Sequence, residues 1–164
     1  MVEVNELVVA LYEAATRSGC RWDRPRHEAE DGCYRFFSAV APSDWQRREP
    51  IELQLHVHPD GEESSLSFAI PLYVEPHWNG FTIAAKAQNR LAEADEEEGY
   101  AGEVSVQYRV SDEGVPELEG VWAELSWEIG DWVSGERPLD FNWAFEDLGR
   151  RLHALGDLVG SIRD

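Results

Sequence analysis

The sequence predicts an α+β fold: an antiparallel sheet of about five strands with helices on one face, in the order α-β-β-β-α-β-β-α. Five segments alternate apolar and polar residues with a period of two, and three segments repeat apolar residues at helical spacing. Turn sequences join neighbouring strand segments, which indicates hairpins. The length of 164 residues suits one domain, with boundaries 1–164.

Each of the three helical segments carries one apolar stripe. The stripes are Leu7, Val8, Leu11, Ala14 and Ala15 in the first helix, Ile83, Ala84, Ala87, Leu91 and Ala94 in the second, and Phe141, Phe145, Leu148, Leu152, Leu155 and Val159 in the third. Asp140 can cap the start of the third helix. Glu146 and Asp147 stand four residues before Arg150 and Arg151, an order that favours ion pairs on a helix.

The five strand segments are residues 33–40, 51–58, 66–74, 103–110 and 121–129. A turn at residues 59–61 makes the second and third a hairpin, and a turn at 111–114 joins the last two. Pro71 cannot donate a hydrogen bond to a ladder, so we expect its strand to be an edge there, or bulged. Residues 21–31, 42–50 and 131–138 are predicted to be loops.

The charge balance limits the classes of partner. A formal net charge of −19 argues against general binding to nucleic acid backbones and to anionic membranes. It favours solubility and basic partners, and adaptation to salt would also explain it. With two cysteines, no signal-peptide pattern and no run of about 20 apolar residues, the sequence predicts a cytoplasmic protein with free thiols.

Arginines concentrate in one part of the chain. Residues 17–48 contain seven arginines and five acidic residues, a net charge of +2, against −21 for the rest. The candidate anion-binding or self-association patch consists of Arg24, Arg26, Arg35, Arg47 and Arg48. The alternative, which we favour, is that these arginines pair with acidic residues of the same chain.

No combination of residues predicts catalysis or a metal. His56 and His58 share one strand face and could bind a metal with Asp60 or His27, but no third ligand has a diagnostic spacing. Two solvated histidines on the open face of a sheet are the commoner arrangement. Cys20 or Cys33 beside a histidine could be a nucleophilic pair, although a small buried thiol is the commoner role. We therefore predict no catalytic residue, no metal, no cofactor and no enzymatic activity.

Tryptophan is abundant, with seven residues, and several lie in or beside predicted loops. Exposed aromatic side chains on an acidic surface would anchor a basic or apolar partner segment. The candidate partner-binding surface consists of Trp78, Phe81, Trp122 and Trp132. The alternative is that the loops fold back and bury these rings.

The order of elements resembles the type III secretion chaperone-like fold, and residues 78–162 are similar to the YbjN-like family. The similar segments are residues 86–91 (KAQNRL) in a helix, 123–128 (AELSWE) at the end of a strand pair, and 144–148 (AFEDL) at the start of the last helix. The resemblance implies a small, often dimeric, non-enzymatic domain that binds another protein. It supplies no catalytic residues.

The expected function is therefore that of a protein-binding module acting as a homodimer. The acid excess favours a basic partner. The first alternative is an immunity or antitoxin-type inhibitor that blocks a basic enzyme, because strong acidity suits a nucleic-acid-binding cleft. A second is an enzyme or small-ligand binder that uses the arginine-rich loops.

Overall fold

A computed structural model describes residues 2–18, 21–22, 26–28, 33–40, 45–46, 51–58, 63–72, 79–92, 100–159 and 161–162. Its helices are α1 (Val4–Arg17), α2 (Gly80–Ala92), α3 (Gly130–Ser134) and α4 (Asn142–Leu155), followed by a 3-10 turn at Gly156–Leu158. Its strands are β1 (Arg21–Trp22), β2 (Arg26–Glu28), β3 (Cys33–Val40), β4 (Trp45–Gln46), β5 (Glu52–His56), β6 (Ser65–Pro71), β7 (Tyr100–Val110), β8 (Pro116–Glu128) and β9 (Ser161–Ile162). None of the described helices is long and apolar enough to cross a membrane.

The main sheet is antiparallel and places β7 at one end. The path of hydrogen-bonded neighbours is β1-β3-β5-β6-β8-β7, and β2 also pairs with β3. The α+β class with an antiparallel sheet is confirmed, whereas the expected count of about five strands is not, because the sheet has seven. The additional strands, β1 and β2, lie within residues 21–31, so the prediction of a loop there is wrong for these positions. They have two and three residues, too few to produce a visible alternation. A separate pair, β4 and β9, lies outside this sheet, and β4 likewise falls within the loop predicted for residues 42–50.

On strands β5 to β8, one face of the sheet is buried and the other is more accessible to solvent. Along β6 the burial alternates residue by residue, with Leu66, Phe68 and Ile70 fully buried. These side chains share one hydrophobic core with the inward faces of β5 and β8 and the apolar stripes of α1, α2 and α4. The outward positions of β5 to β8 are half-buried or exposed. The two-residue period of a strand thus separates an apolar face from a polar one.

Pro71 occupies a local edge inside a central strand. The β5–β6 ladder ends at the pair Glu52 and Ala69, whereas the β6–β8 ladder continues to Pro71. The amide of Leu72 donates to the Val121 carbonyl at 2.9 Å, so the nitrogen of the preceding residue faces the β5 side, beyond the end of that ladder. The missing donor of Pro71 therefore costs no ladder hydrogen bond.

The segment before the last helix is not the simple loop expected for residues 131–138. It contains α3, whose five residues are too few to show helical periodicity. The Asp140 carboxylate accepts a hydrogen bond from the Asn142 amide at 2.8 Å, close to its predicted role at the start of α4. At the other end of α4, the Arg90 guanidinium donates to the Leu155 carbonyl at 2.7 Å. A cation on α2 thus satisfies a terminal carbonyl of α4.

Two glycine-to-alanine substitutions should change stability in opposite directions. A Cβ at Gly80 would stand 2.6 Å from Cδ1 of Leu118 and 2.8 Å from Cγ1 of Val106, so these side chains or α2 itself would have to shift. We expect Gly80→Ala to lower the free energy of unfolding by about 1–3 kcal/mol. Gly149 lies exposed in α4 with nothing within 4 Å of its Cβ position, so Gly149→Ala should raise it by about 0.5–1 kcal/mol. Urea unfolding followed by circular dichroism measures the free energy of unfolding of both variants. If both substitutions change it in the same direction, the close packing at Gly80 is contradicted.

Candidate protein-binding surfaces

The open face of the sheet carries a row of carboxylates that crosses four strands. Glu52 of β5 is in register with Ala69 of β6, Ala69 with Glu124 of β8, and Glu124 with Glu103 of β7. We call Glu52, Glu124 and Glu103 the acidic row. Glu103 and Glu124 are exposed, whereas Glu52 is half-buried and accepts a hydrogen bond from the Gln54 amide at 2.7 Å. Small side chains beside the row leave this face flat, among them Ser67, Ala101, Ser105 and Ser126.

Two carboxylates of the acidic row lie directly opposite each other. Register partners on one face of an antiparallel pair have their Cβ atoms about 4.5–5.5 Å apart, and like charges at such positions are destabilising. No basic side chain in the described part of the chain forms an ion pair with Glu103 or Glu124. The fold therefore carries an electrostatic cost on its open face that a bound cation would relieve.

Trp122 lies on the same face, two residues before Glu124 on β8. A Cβ at Gly120 would overlap the indole of Trp122, so this ring lies flat across the glycine and is only half exposed. The indole extends from Trp122 toward Gly120, away from Glu124, so it continues the open face beyond the acidic row. An aromatic face on the same surface as carboxylates suits a segment that carries arginine or lysine, since both groups attract a cation.

A second surface lies at the far end of the β7–β8 hairpin. Its turn is closed by a bond of 2.9 Å from the Ser111 amide to the Val115 carbonyl and by Gly114 at φ 77°. Tyr108 is 41% exposed, Val110 69% and Val115 52%. The ring of Phe81, which is 67% exposed at the start of α2, lies 5.7 Å from that of Tyr108. Four large apolar side chains therefore stand in solvent at one end of the molecule.

The aromatic residues predicted to form one partner-binding surface lie in separate environments. Phe81 stacks with Tyr108, and Trp122 lies over Gly120. Trp132 is half-buried between the ring of Trp143, at 4.9 Å, and the guanidinium of Arg137, at 4.7 Å. Trp132 is thus used within the chain, and Trp78 lies outside the described residues.

Most of the predicted arginine patch lies outside the described residues, namely Arg24, Arg47 and Arg48. Arg26 and Arg35 are described by their backbone alone, and they are register partners in the β2–β3 ladder. Two cations thus occupy opposite positions near the β1 end of the sheet, while the acidic row extends toward the β7 end. Whether the patch binds an anion or takes part in self-association stays a prediction.

The histidines that could bind a metal have other partners. The His56 Nε2 and the Gln54 Oε1 are 3.0 Å apart, and the His58 Nδ1 is 3.9 Å from the Glu63 carboxylate. In the described ranges, no three side chains of His, Cys, Asp or Glu are grouped closely enough to hold a metal ion. Asp60 is not among the described residues, and His27 is described only by its backbone.

A buried polar cluster joins α4 to the β7–β8 hairpin. Asp147 is 7% exposed and accepts a hydrogen bond from the Trp127 indole at 3.1 Å. The same carboxylate is paired with Arg150 and lies 3.7 Å from the Nε of Arg151, which is fully buried. The Arg151 guanidinium stacks on the Tyr100 ring at 4.0 Å. Burial raises the pKa of Tyr100 above its usual value, with a smaller opposing effect from Arg151, so this phenol stays neutral at physiological pH.

The comparisons with known proteins leave these surfaces to be interpreted on their own geometry. No protein-family model matches the chain, and no significant match occurs among curated proteins or among solved structures.

Proposed function

We propose that this chain is a non-enzymatic protein-binding module, with a type III secretion chaperone-like fold, that acts as a homodimer and captures a basic protein segment. The observation that carries the proposal is the acidic row, in which Glu103 and Glu124 are direct register partners on the open face of the sheet. An unneutralised pair of this kind lowers stability, and a cationic ligand would remove the cost.

The partner's chemistry is set by what surrounds the row. The open face offers carboxylates, small side chains and the flat indole of Trp122. Lysine or arginine side chains would pair with Glu103 and Glu124, and a neighbouring cation or apolar group would contact Trp122. A chain with a net charge of −19 also attracts such a segment from a distance, so association should slow as salt is raised.

The same surface would serve an inhibitor of the immunity or antitoxin type, in which the basic segment belongs to an enzyme that binds nucleic acid. The two possibilities differ in what happens to the partner. An inhibitor would abolish the partner's activity at a 1:1 ratio, whereas a chaperone-like module would stabilise or deliver the partner and leave its mature activity intact.

Neutralising one member of the acidic row should raise the stability of the protein and weaken its binding to the partner. Glu124→Gln removes the repulsion with Glu103, so we expect the free energy of unfolding to rise by about 0.2–1 kcal/mol. Partner capture should fall, because the substitution also removes a charge that the partner pairs with. Glu113→Gln, in the exposed hairpin turn, changes the net charge equally and is the matched control.

Each tagged variant would be used in a pull-down from native lysate, and the recovered protein would be titrated by calorimetry at two salt concentrations. The expected result is a basic partner that Glu124→Gln binds at least about tenfold more weakly than Glu113→Gln does, a difference of about 1.4 kcal/mol. Equal loss in both variants would indicate a general charge effect. Recovery of this protein alone would contradict the proposal.

A further inference from the structure

Strand β7 is a long edge with hydrogen-bonding groups directed outward. It has 11 residues and pairs on one side with β8, and no other described strand pairs with it. The Ser111 amide donates toward the β8 side, to Val115. Because amides alternate in direction along a strand, the odd-numbered residues of β7 face β8 and the even-numbered residues face outward. Gly102, Val104, Val106, Tyr108 and Val110 therefore present their amides and carbonyls at the free edge.

Among the residues that the structure describes, this edge lacks the usual protection against pairing with another chain. Exposed edge strands are commonly blunted by lysine, proline or a bulge. Residues 100–110 contain no lysine and no proline. The register shift at Gln107 and Tyr108 is taken up by an extra residue in β8, Glu119, so β7 itself remains regular. Long, regular and apolar toward its end, β7 has the character of an interface strand.

The charges on β7 are self-complementary in one register. Its charged residues are Glu103 and Arg109, which stand three residues on either side of Val106. Arg109 also forms an exposed ion pair of 3.0 Å with Glu117, its register partner on β8. Because this pair is exposed, it is weak enough for the guanidinium to be shared with a second carboxylate. We infer that β7 pairs antiparallel with β7 of a second copy about a two-fold axis at Val106. Glu103 then lies opposite Arg109 of the partner subunit, and the symmetry repeats the pair on the other side of the axis. A shift of the axis by one residue in either direction places both charges opposite uncharged residues.

The same register suits the side chains on the inner face. Val110, which is 69% exposed, would lie opposite Gly102 of the partner subunit, where no side chain competes for space. Tyr108 would lie opposite Val104 of the partner subunit. The exposed positions Phe81, Ala85, Gln88 and Ala92 share one side of α2, which would face a second α2 across the pairing. Apolar groups that stand in solvent in one copy would thus be covered in the pair.

The pairing also acts on the acidic row. Arg109 of the partner subunit would stand beside Glu103 and compensate that member of the repulsive pair, which leaves Glu124 as the carboxylate that a basic partner segment would pair with. The open faces of the two copies would become one continuous face, with an acidic row on each side of the axis. This inference rests on the proposed function, since it supplies the interface for the homodimer named there.

A charge exchange between two variants tests the register. Glu103→Arg places two arginines opposite each other, and Arg109→Glu places two glutamates there. Each variant alone should dimerise about tenfold or more weakly than the parent chain, because two favourable pairs become unfavourable. A mixture of the two should form a heterodimer, since both charge pairs are then restored. Both residues are exposed, so neither change should prevent folding. Arg109→Glu also loses the exposed ion pair with Glu117, so urea unfolding of each variant is measured before its dimerisation.

The measurement is sedimentation velocity and native mass spectrometry at about 0.15 M salt, where charges beyond about 8 Å are screened. A mixture of Glu113→Arg with Arg109→Glu has the same net charges as the test mixture and should show no preference for a heterodimer. Heterodimers in the test mixture alone support the inference. Dimers that neither variant weakens would place the interface elsewhere and overturn the register while leaving the homodimer intact.

A monomer at every concentration would overturn both the register and the homodimer. Partner capture that still depends on Glu124 in that case would leave the protein-binding proposal standing. If partner capture is lost while the charge-exchanged heterodimer still forms, the register stands and the protein-binding proposal fails. The two proposals can therefore fail separately.

Discussion

Asp147→Ala is expected to destabilise the protein by about 3–5 kcal/mol, because it leaves a buried positive charge without its nearest described carboxylate. Arg151 is fully buried, and its Nε lies 3.7 Å from Asp147. The substitution also removes the acceptor of the Trp127 indole, which donates to Asp147 at 3.1 Å in the interior. An unsatisfied buried donor alone costs about 1–3 kcal/mol. Urea unfolding should show a lower midpoint with an unchanged slope.

Two further variants identify the source of the loss. Asp147→Asn can still accept the hydrogen bond from Trp127 but lacks the charge, so the difference between it and Asp147→Ala measures the indole bond together with the lost side-chain packing. Asp131→Ala is the matched control, since it breaks an exposed pair in which the carboxylate lies 3.6 Å from Arg137. Exposed pairs of this kind are worth about 0.2–1 kcal/mol. A loss for Asp147→Ala no larger than for Asp131→Ala would mean that other groups compensate Arg151.

The helices and long strands were predictable from the sequence because their signals are local. The stripe that includes Leu7 and Leu11 became the buried side of α1, and the alternation around Phe68 became the buried side of β6. Periodicity records which side of an element faces the core. It could not record the short strands or α3, which are shorter than the window that a period requires.

The acidic row could not be predicted from the sequence, because it depends on register between distant strands. Glu52 and Glu103 are 51 positions apart in the chain, and they share a row only through pairings with β6 and β8. Each glutamate was visible as a polar position on an alternating strand. Which strands become neighbours, and with what offset, is decided by the packing of the whole sheet.

The sequence predicted the pairing of Asp147 with Arg151 in the polar cluster, but it did not predict that both residues are buried. Spacing placed Asp147 four residues before Arg151, as in an exposed helical pair, yet both residues are buried against the sheet. A signal was available: Trp127 lies at an inward strand position, and a buried indole requires an acceptor. Combining that requirement with the polar residues of α4 would have indicated Asp147.

The loss of Phe68 should be as severe as that of Asp147, because this ring links the sheet to α4. Phe68 is fully buried on β6, and its ring stands edge-on to Trp127 at 5.7 Å and to Phe145 at 5.6 Å. Phe68→Ala removes the ring's burial and leaves a cavity between layers that cannot close without moving β6 and α4. We expect a loss of about 3–5 kcal/mol.

Phe81→Ala is the matched control for Phe68→Ala, since it makes the same chemical change at a side chain that is 67% exposed. Its effect on the stability of the monomer should stay within about 0.5 kcal/mol. Thermal and urea unfolding of the two variants at one low concentration test this contrast without a contribution from self-association. Because Phe81 belongs to the exposed side of α2, the same variant should weaken association at high concentration. A Phe81→Ala protein that is less stable as a monomer would indicate that this ring packs against the fold and is not an interface group.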